Sequence, residues 1–214
     1  MKKVFSLIIC LSFIACAFAQ LDPKSMELLD KMSNTYKNST GTELQLKIEL
    51  EDAQSGTTNS IKGTLKTHGK RFILDTALAN MTFNGKYLYM YNKQANEITV
   101  SEPVTEDLEG IDPTAIMGSY KTGYTITAPE IITEGGREIA VISLYPEDKE
   151  DPFFKSTISV DTKTFEPVGV STHNKNGMVS TIKITKLKTN LNYKPDELDF
   201  DTNKYPKAML IDLR

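Results

Sequence analysis

Between residues 43 and 51 the chain alternates strictly. Leu44, Leu46, Ile48 and Leu50 fall on one side, and Glu43, Gln45, Lys47, Glu49 and Glu51 on the other. A period of two with one wet face marks a strand of an antiparallel sheet. The stretch before it has another rhythm. Met26, Leu29, Met32 and Tyr36, with Leu28 beside them, recur at helical spacing. Asp22-Pro23 supplies an N-cap and a first-turn proline, so a helix is predicted from Pro23 to about Tyr36. Asn38 to Gly41 ends it.

After Glu51 the period stays at two. Ile61, Gly63, Leu65 and Thr67 alternate with Lys62, Thr64, Lys66 and His68, and Gly69-Lys70 turns the chain. Phe72 and Leu74 continue the pattern, then the segment Leu78 to Phe83. Asn84-Gly85 follows, the strongest short hairpin signal. The next strand sets Tyr87, Tyr89 and Tyr91 on one face and Leu88 and Met90 on the other. Both faces are large and apolar, and the period alone leaves open which points inward. Glu97 to Ser101 is a further short strand.

Pro103 to Gly110 is an acidic loop, and Asp112-Pro113 repeats the capping signal ahead of a short helix with Ile116 and Met117. Strand character then returns in Tyr124 to Ile132, Arg137 to Tyr145, Phe154 to Asp161, Glu166 to His173 and Val179 to Leu187. No helical inserts separate these runs, which excludes βαβ units and leaves a meandering antiparallel sheet. A twisted sheet of about eleven strands curls or closes. The fold expected is mainly β (α+β).

The N-terminus reads as a targeting segment. Met1-Lys2-Lys3 is basic, Val4 to Ala15 is apolar, and Ala17-Phe18-Ala19 is a small-x-small cleavage site. The expected division is a signal peptide at 1–19 and a single domain at 20–214, delivered to the periplasm. Cys10 and Cys16 would leave with the signal, so no disulfide or thiol chemistry remains. The alternative is acylation of Cys16, because Phe13-Ile14-Ala15 half resembles a lipobox.

Loss of Lys2 and Lys3 leaves 23 of the 25 basic residues against 28 acidic ones, a formal charge of −5. That balance argues against nucleic acid and against tight docking to an anionic membrane.

Catalytic signatures are absent. The mature chain has two histidines, His68 on a polar strand face and His173 at a strand end, both read as solvated. There is no H-E-x-x-H, G-x-S-x-G, P-loop or G-x-G-x-x-G. Glu106-Asp107-Glu109 and Glu147-Asp148-Glu150-Asp151 lie in loops, and the second does not fit an EF-hand. The chain is read as no enzyme, with no cofactor and no metal. What stands out is bulky, flexible apolar side chains, the kind used where a surface adapts to variable apolar ligands.

The order of these segments resembles the outer-membrane lipoprotein carrier family (LolA-like proteins). An amphipathic helix precedes a strand and a Gly63-x-Leu65 strand, followed by Lys70-Arg71-Phe72. The family's D-G-K-x-L-W-x-Y pattern is matched by Asn84 to Tyr91, with Asn84 for the Asp and Tyr89 for the Trp. Asp112 to Tyr120 resembles its mid-chain helix. Thr157 to Asp161 and Phe200, Tyr205-Pro206 and Ile211 to Leu213 resemble its C-terminal strands and tail.

The resemblance implies an unclosed, strongly curved antiparallel barrel with helices covering the open face as a lid. It implies a periplasmic carrier that binds lipoprotein acyl chains in a hydrophobic cavity, taking them from an inner-membrane exporter to an outer-membrane acceptor. Membrane proximity would be transient and the carrier a monomer. The expected cavity wall is Leu44, Leu46, Ile48, Leu65, Phe72, Leu74, Met81, Phe83, Leu88 and Met90. The expected lid is Met26, Leu29, Met32, Ile116 and Met117. The family ties a basic residue to lid closure and release, a gate that falls on Arg71. The alternative is a non-catalytic periplasmic scaffold of the same shape, binding another lipid, a glycan or a protein.

Overall fold

A computed structural model of the chain describes residues 21–104, 120–194 and 196–214. Helix α1 (Pro23–Lys37) comes first. It is followed by β1 (Thr42–Asp52), β2 (Thr57–His68), β3 (Arg71–Thr76), β4 (Ala79–Phe83), β5 (Leu88–Asn92) and β6 (Glu97–Ser101). The second half holds β7 (Tyr124–Ile126), β8 (Glu130–Glu134), β9 (Arg137–Pro146), β10 (Phe153–Asp161), β11 (Pro167–Asn174) and β12 (Met178–Lys188). A 3-10 turn (Thr202–Lys204) precedes β13 (Met209–Asp212).

All thirteen strands form one sheet, in the order β13-β6-β5-β4-β3-β2-β1-β12-β11-β10-β9-β7, with β8 also on β9. Neighbours pair antiparallel except β13, which runs parallel to β6. The two outer edges do not pair with each other, so the sheet is unclosed. The pairing of β1 with β12 along ten residue pairs joins the first half of the chain to the second.

The local causes are those the sequence carries. The Asp22 carboxylate accepts from the Ser25 backbone N–H at 3.0 Å, an N-cap. The Asn84 side chain accepts from the N–H groups of Lys86 and Tyr87 at 3.0 and 2.8 Å, and Gly85 takes φ 97°. That local turn fixes the β4–β5 register.

Two expectations need correction. The sheet has thirteen strands rather than eleven. The run expected from Tyr124 to Ile132 breaks at Pro129, which has no N–H to donate. The tail adds β13 as well. The described residues hold one α-helix, so a lid of two helices is not borne out. The helix expected at Pro113 to Ser119 lies outside the described residues.

Beyond β12 the chain crosses back over the first half. Leu191 donates to the Gly41 carbonyl at 3.0 Å, and the Tyr193 hydroxyl donates to the Thr42 carbonyl at 3.0 Å. Gly41 permits that approach: a Cβ there would stand 2.6 Å from the Leu191 oxygen and 2.9 Å from the Tyr193 ring.

This crossing can be probed in two ways. Gly41→Ala should lower stability by about 1–3 kcal/mol, read as a lower urea midpoint at unchanged slope. Burial first, then the charges of Glu43 and Glu197, push the Tyr193 hydroxyl up to about 12. The folded state therefore holds its proton where an unfolded tyrosine, near 10, loses it. Stability from this group is complete below pH ~10 and is lost between ~10 and ~12. Tyr193→Phe should flatten the stability profile in that window.

Candidate functional site: the inner face of the sheet

Register settles which side chains share a face, because directly opposed residues project the same way. One row runs Leu187, Leu44, Leu65, Leu74, Met81, Met90 across six strands from β12 to β5. A second holds Phe72, Phe83 and Leu88, with the two phenyl rings 5.9 Å apart. A third runs Ile142, Ile158, Val170, Ile182, Ile48, Ile61 from β9 to β2. These rows make one continuous apolar face, the inner face. Its polar end is closed by the Thr42 and Thr67 hydroxyls, 2.7 Å apart.

All ten expected wall residues lie on this face. Their exposure separates them. Leu44, Leu46, Leu65, Phe72, Leu74, Phe83 and Leu88 are at most 9% exposed and form one packed cluster. At these seven side chains the face is closed to water. Ile48 and Met81 are half-buried at its margin, and Met90 is 37% exposed. Leu50, on the same face, is 42% exposed. The accessible apolar surface is therefore an edge of the face rather than its floor.

The expected lid residues stand elsewhere. Leu29 and Met32 are fully buried, but against Ile142, Leu144, Ile158, Val160 and Val170, with Met26 packed beside them. Helix α1 thus covers the second half of the sheet, while the wall belongs to the first half. Ile184 packs against both clusters and joins them. The helix is tied down by the Ser25 hydroxyl donating to the Thr127 carbonyl at 2.7 Å. Tyr120 adds a hydroxyl bond to Asp30 at 2.7 Å. Ile116 and Met117 lie outside the described residues.

Arg71 points to the outer face, since its neighbour Phe72 points inward. Its guanidinium lies 2.6 Å from the Asp199 carboxylate in the C-terminal crossing. The tyrosines of β5 also face outward. Phe200 stacks on Tyr89 at 5.0 Å, and Tyr205 meets Tyr91 at 4.0 Å. The tail thus covers the aromatic outer face, and Leu88 and Met90 are the inward pair.

Reading the sequence alone missed Ile61, Ile182, Ile184 and Leu187 as parts of the inner face. Their parity was visible; which strands stand beside β1 was not. It also missed two outer-face cavities lined by polar and apolar residues together. One, about 590 Å³, lies over β12, β1, β2 and β3; the other, about 540 Å³, lies between β3, β4 and the tail. Among the described residues no group of three or more His, Cys, Asp or Glu is placed to hold a metal. No helix among them is long and apolar enough to cross a membrane.

Comparison with curated proteins finds no match. Among solved structures, an uncharacterized conserved protein of Thermus thermophilus is 10% identical, covering 88% of this chain and 99% of its own, with a TM-score of 0.58. The lipoprotein LppX of Mycobacterium tuberculosis is 11% identical over 84% of this chain and 100% of its own, at 0.52. At such identities the likeness is one of fold. The LolA superfamily protein NE2245 of Nitrosomonas europaea is 11% identical over 83% of this chain and 98% of its own, at 0.46. A family model described as outer membrane lipoprotein carrier protein LolA matches residues 15–176, well over half the sequence. By that match the chain belongs to the LolA family of outer membrane lipoprotein carrier proteins.

Proposed function

We propose that this chain is a periplasmic carrier, exported by a cleavable signal, that holds lipoprotein acyl chains on the inner face of its sheet. It would take them from an inner-membrane exporter and give them to an outer-membrane acceptor. The observation that carries this reading is the set of apolar rows on the inner face, continuous across β12 to β5, with an accessible margin at Ile48, Leu50, Met81 and Met90.

The energetics fit a reversible holder. Each buried CH₂ contributes roughly 0.8 kcal/mol, so one long acyl chain carries over ~10 kcal/mol of transfer drive. An open greasy groove would keep such a ligand. Here the floor is already packed against itself, so an entering chain must first part those side chains. That cost offsets part of the gain. Two methionines at the margin, Met81 and Met90, are unbranched and adapt to a variable chain. The scaffold alternative asks for an exposed aromatic platform, and the tyrosines of β5 are covered by Phe200 and Tyr205. The ion pair of Arg71 with Asp199 bears on release through the tail: it fastens the segment that crosses the back of the wall.

The purified mature domain should bind a fluorescent long-chain fatty acid saturably. Ile48→Asp should weaken that binding by at least about tenfold, because a carboxylate would enter the apolar margin unpaired. Unchanged affinity in a folded Ile48→Asp protein, or no binding by the parent, would sink the reading. Arg71→Leu should leave lipoprotein accumulating on the carrier in cells; normal delivery would remove Arg71 from the release step.

A further inference from the structure

The sequence's net charge is negative, yet one face of the sheet is not. On the outer side of β12, β1 and β2 stand Lys183, Lys186, Lys188, Lys47, Lys62 and Lys66, facing only Glu43, Glu49 and Glu51. Three of these lysines form one row: Lys183 lies directly opposite Lys47, and Lys47 directly opposite Lys62. Like charges in directly opposed positions destabilise a sheet. Glu49 alone offsets this row, bonding Lys47 at 2.7 Å and Lys183 at 3.2 Å. Glu43 is bound by Lys188 at 2.6 Å, and its carboxyl is held below the usual range by Lys188, with Lys66 and Lys186 adding to it. Lys62 has no ion pair among the described residues.

The cavity of about 590 Å³ opens beside two members of this row, Lys47 and Lys62. Lys47 and Lys62 line it together with Gln45, Thr64 and Asp75. The Asp75 charge is already taken by Lys93 at 2.9 Å. With Lys47 bonded to Glu49, the cavity offers the Lys62 ammonium beside the Gln45 amide and the Thr64, Thr76 and Thr185 hydroxyls, over a base of Leu46, Gly63 and Ala77, donors that suit phosphate oxygens. The six lysines spread over three strands and up to six residues, roughly 10 by 17 Å. That is wider than one small anion needs, and it matches a plane carrying many.

We infer that the outer face of β12, β1 and β2 is a docking face for an anionic phospholipid bilayer, the cavity receiving one phosphodiester headgroup. The choice of a bilayer over a soluble phosphate ester rests on the carrier reading, since a protein that handles acyl chains must meet membranes. Overall charge disfavours tight membrane docking. A local face of six lysines against three glutamates, among acidic surroundings, gives a weak, salt-sensitive contact instead.

The test is co-sedimentation of the mature protein with phosphatidylcholine vesicles, with and without phosphatidylglycerol. Binding should require phosphatidylglycerol. It should fade as salt rises from about 0.01 to about 0.15 M, where the screening length shrinks from about 30 to about 8 Å. The double variant Lys62→Glu/Lys183→Glu should lose at least about tenfold in partitioning. Lys24→Glu/Lys163→Glu carries the same net charge and should bind as the parent does. Equal binding to pure phosphatidylcholine, or equal binding by the two double variants, would overturn the inference. So would binding of glycerol phosphate at these lysines without any vesicle binding, which would make the site one for a soluble anion. The fatty-acid probe should bind the Lys62→Glu/Lys183→Glu protein normally. A parent that docks on vesicles but takes no probe would mean the carrier reading fails while the docking face stands.

Discussion

The structure depends on the register of β1 between β2 and β12. Those two pairings carry Leu44, Leu46 and Ile48 into line with Leu65, Ile61, Leu187 and Ile182, and so turn separate alternating strands into one apolar face. A slip of one residue would send every one of these side chains to the lysine side. The register is held by burial: none of Leu44, Leu46 and Leu65 exposes more than 3% of its surface. A bulge between Gln45 and Leu46 adjusts β12 without moving the apolar residues off their face.

From that constraint the two sides of the sheet diverge. Inside, apolar rows run from β9 to β5, floored by packed leucines and phenylalanines and covered at the far half by α1. Outside, the surface has two zones. Over β3 to β6 the tail lays Phe200 and Tyr205 on the tyrosines and bonds Asp199 to Arg71. Over β12 to β2 the surface is polar and basic, met by the tail only at its Lys66 end, where the ammonium lies 5.9 Å from the Tyr193 ring. The tail and the lysine zone therefore share the outer face, and the apolar rows stand alone on the inner one.

Much of this was legible in the residues. The helix start came from Asp22-Pro23, the β4–β5 hairpin from Asn84-Gly85, and the common parity of Leu44, Leu46 and Ile48 from the alternation of β1. Three things were not legible, each for a physical reason. Period two places Leu88 and Tyr89 on opposite faces but does not say which face is inner; only the partner strands and the stacking of Phe200 decide it. Helix α1 shows an apolar stripe that must be covered, but the stripe carries no address, and it packs on β9 to β11 rather than over the wall. The lysine row is invisible in a linear reading because Lys47, Lys62 and Lys183 become neighbours only through two strand pairings. Net charge hid it further, since a sum says nothing about placement.

The most direct measurement of the central claim is a methyl spectrum of the protein labelled at its methionines, recorded while a long-chain fatty acid is added. The account predicts shifts at Met81 and Met90, on the margin of the inner face, with Met209 on the tail strand unmoved. Shifts confined to Met209, or no shift at Met81 and Met90 under saturating probe, would contradict it.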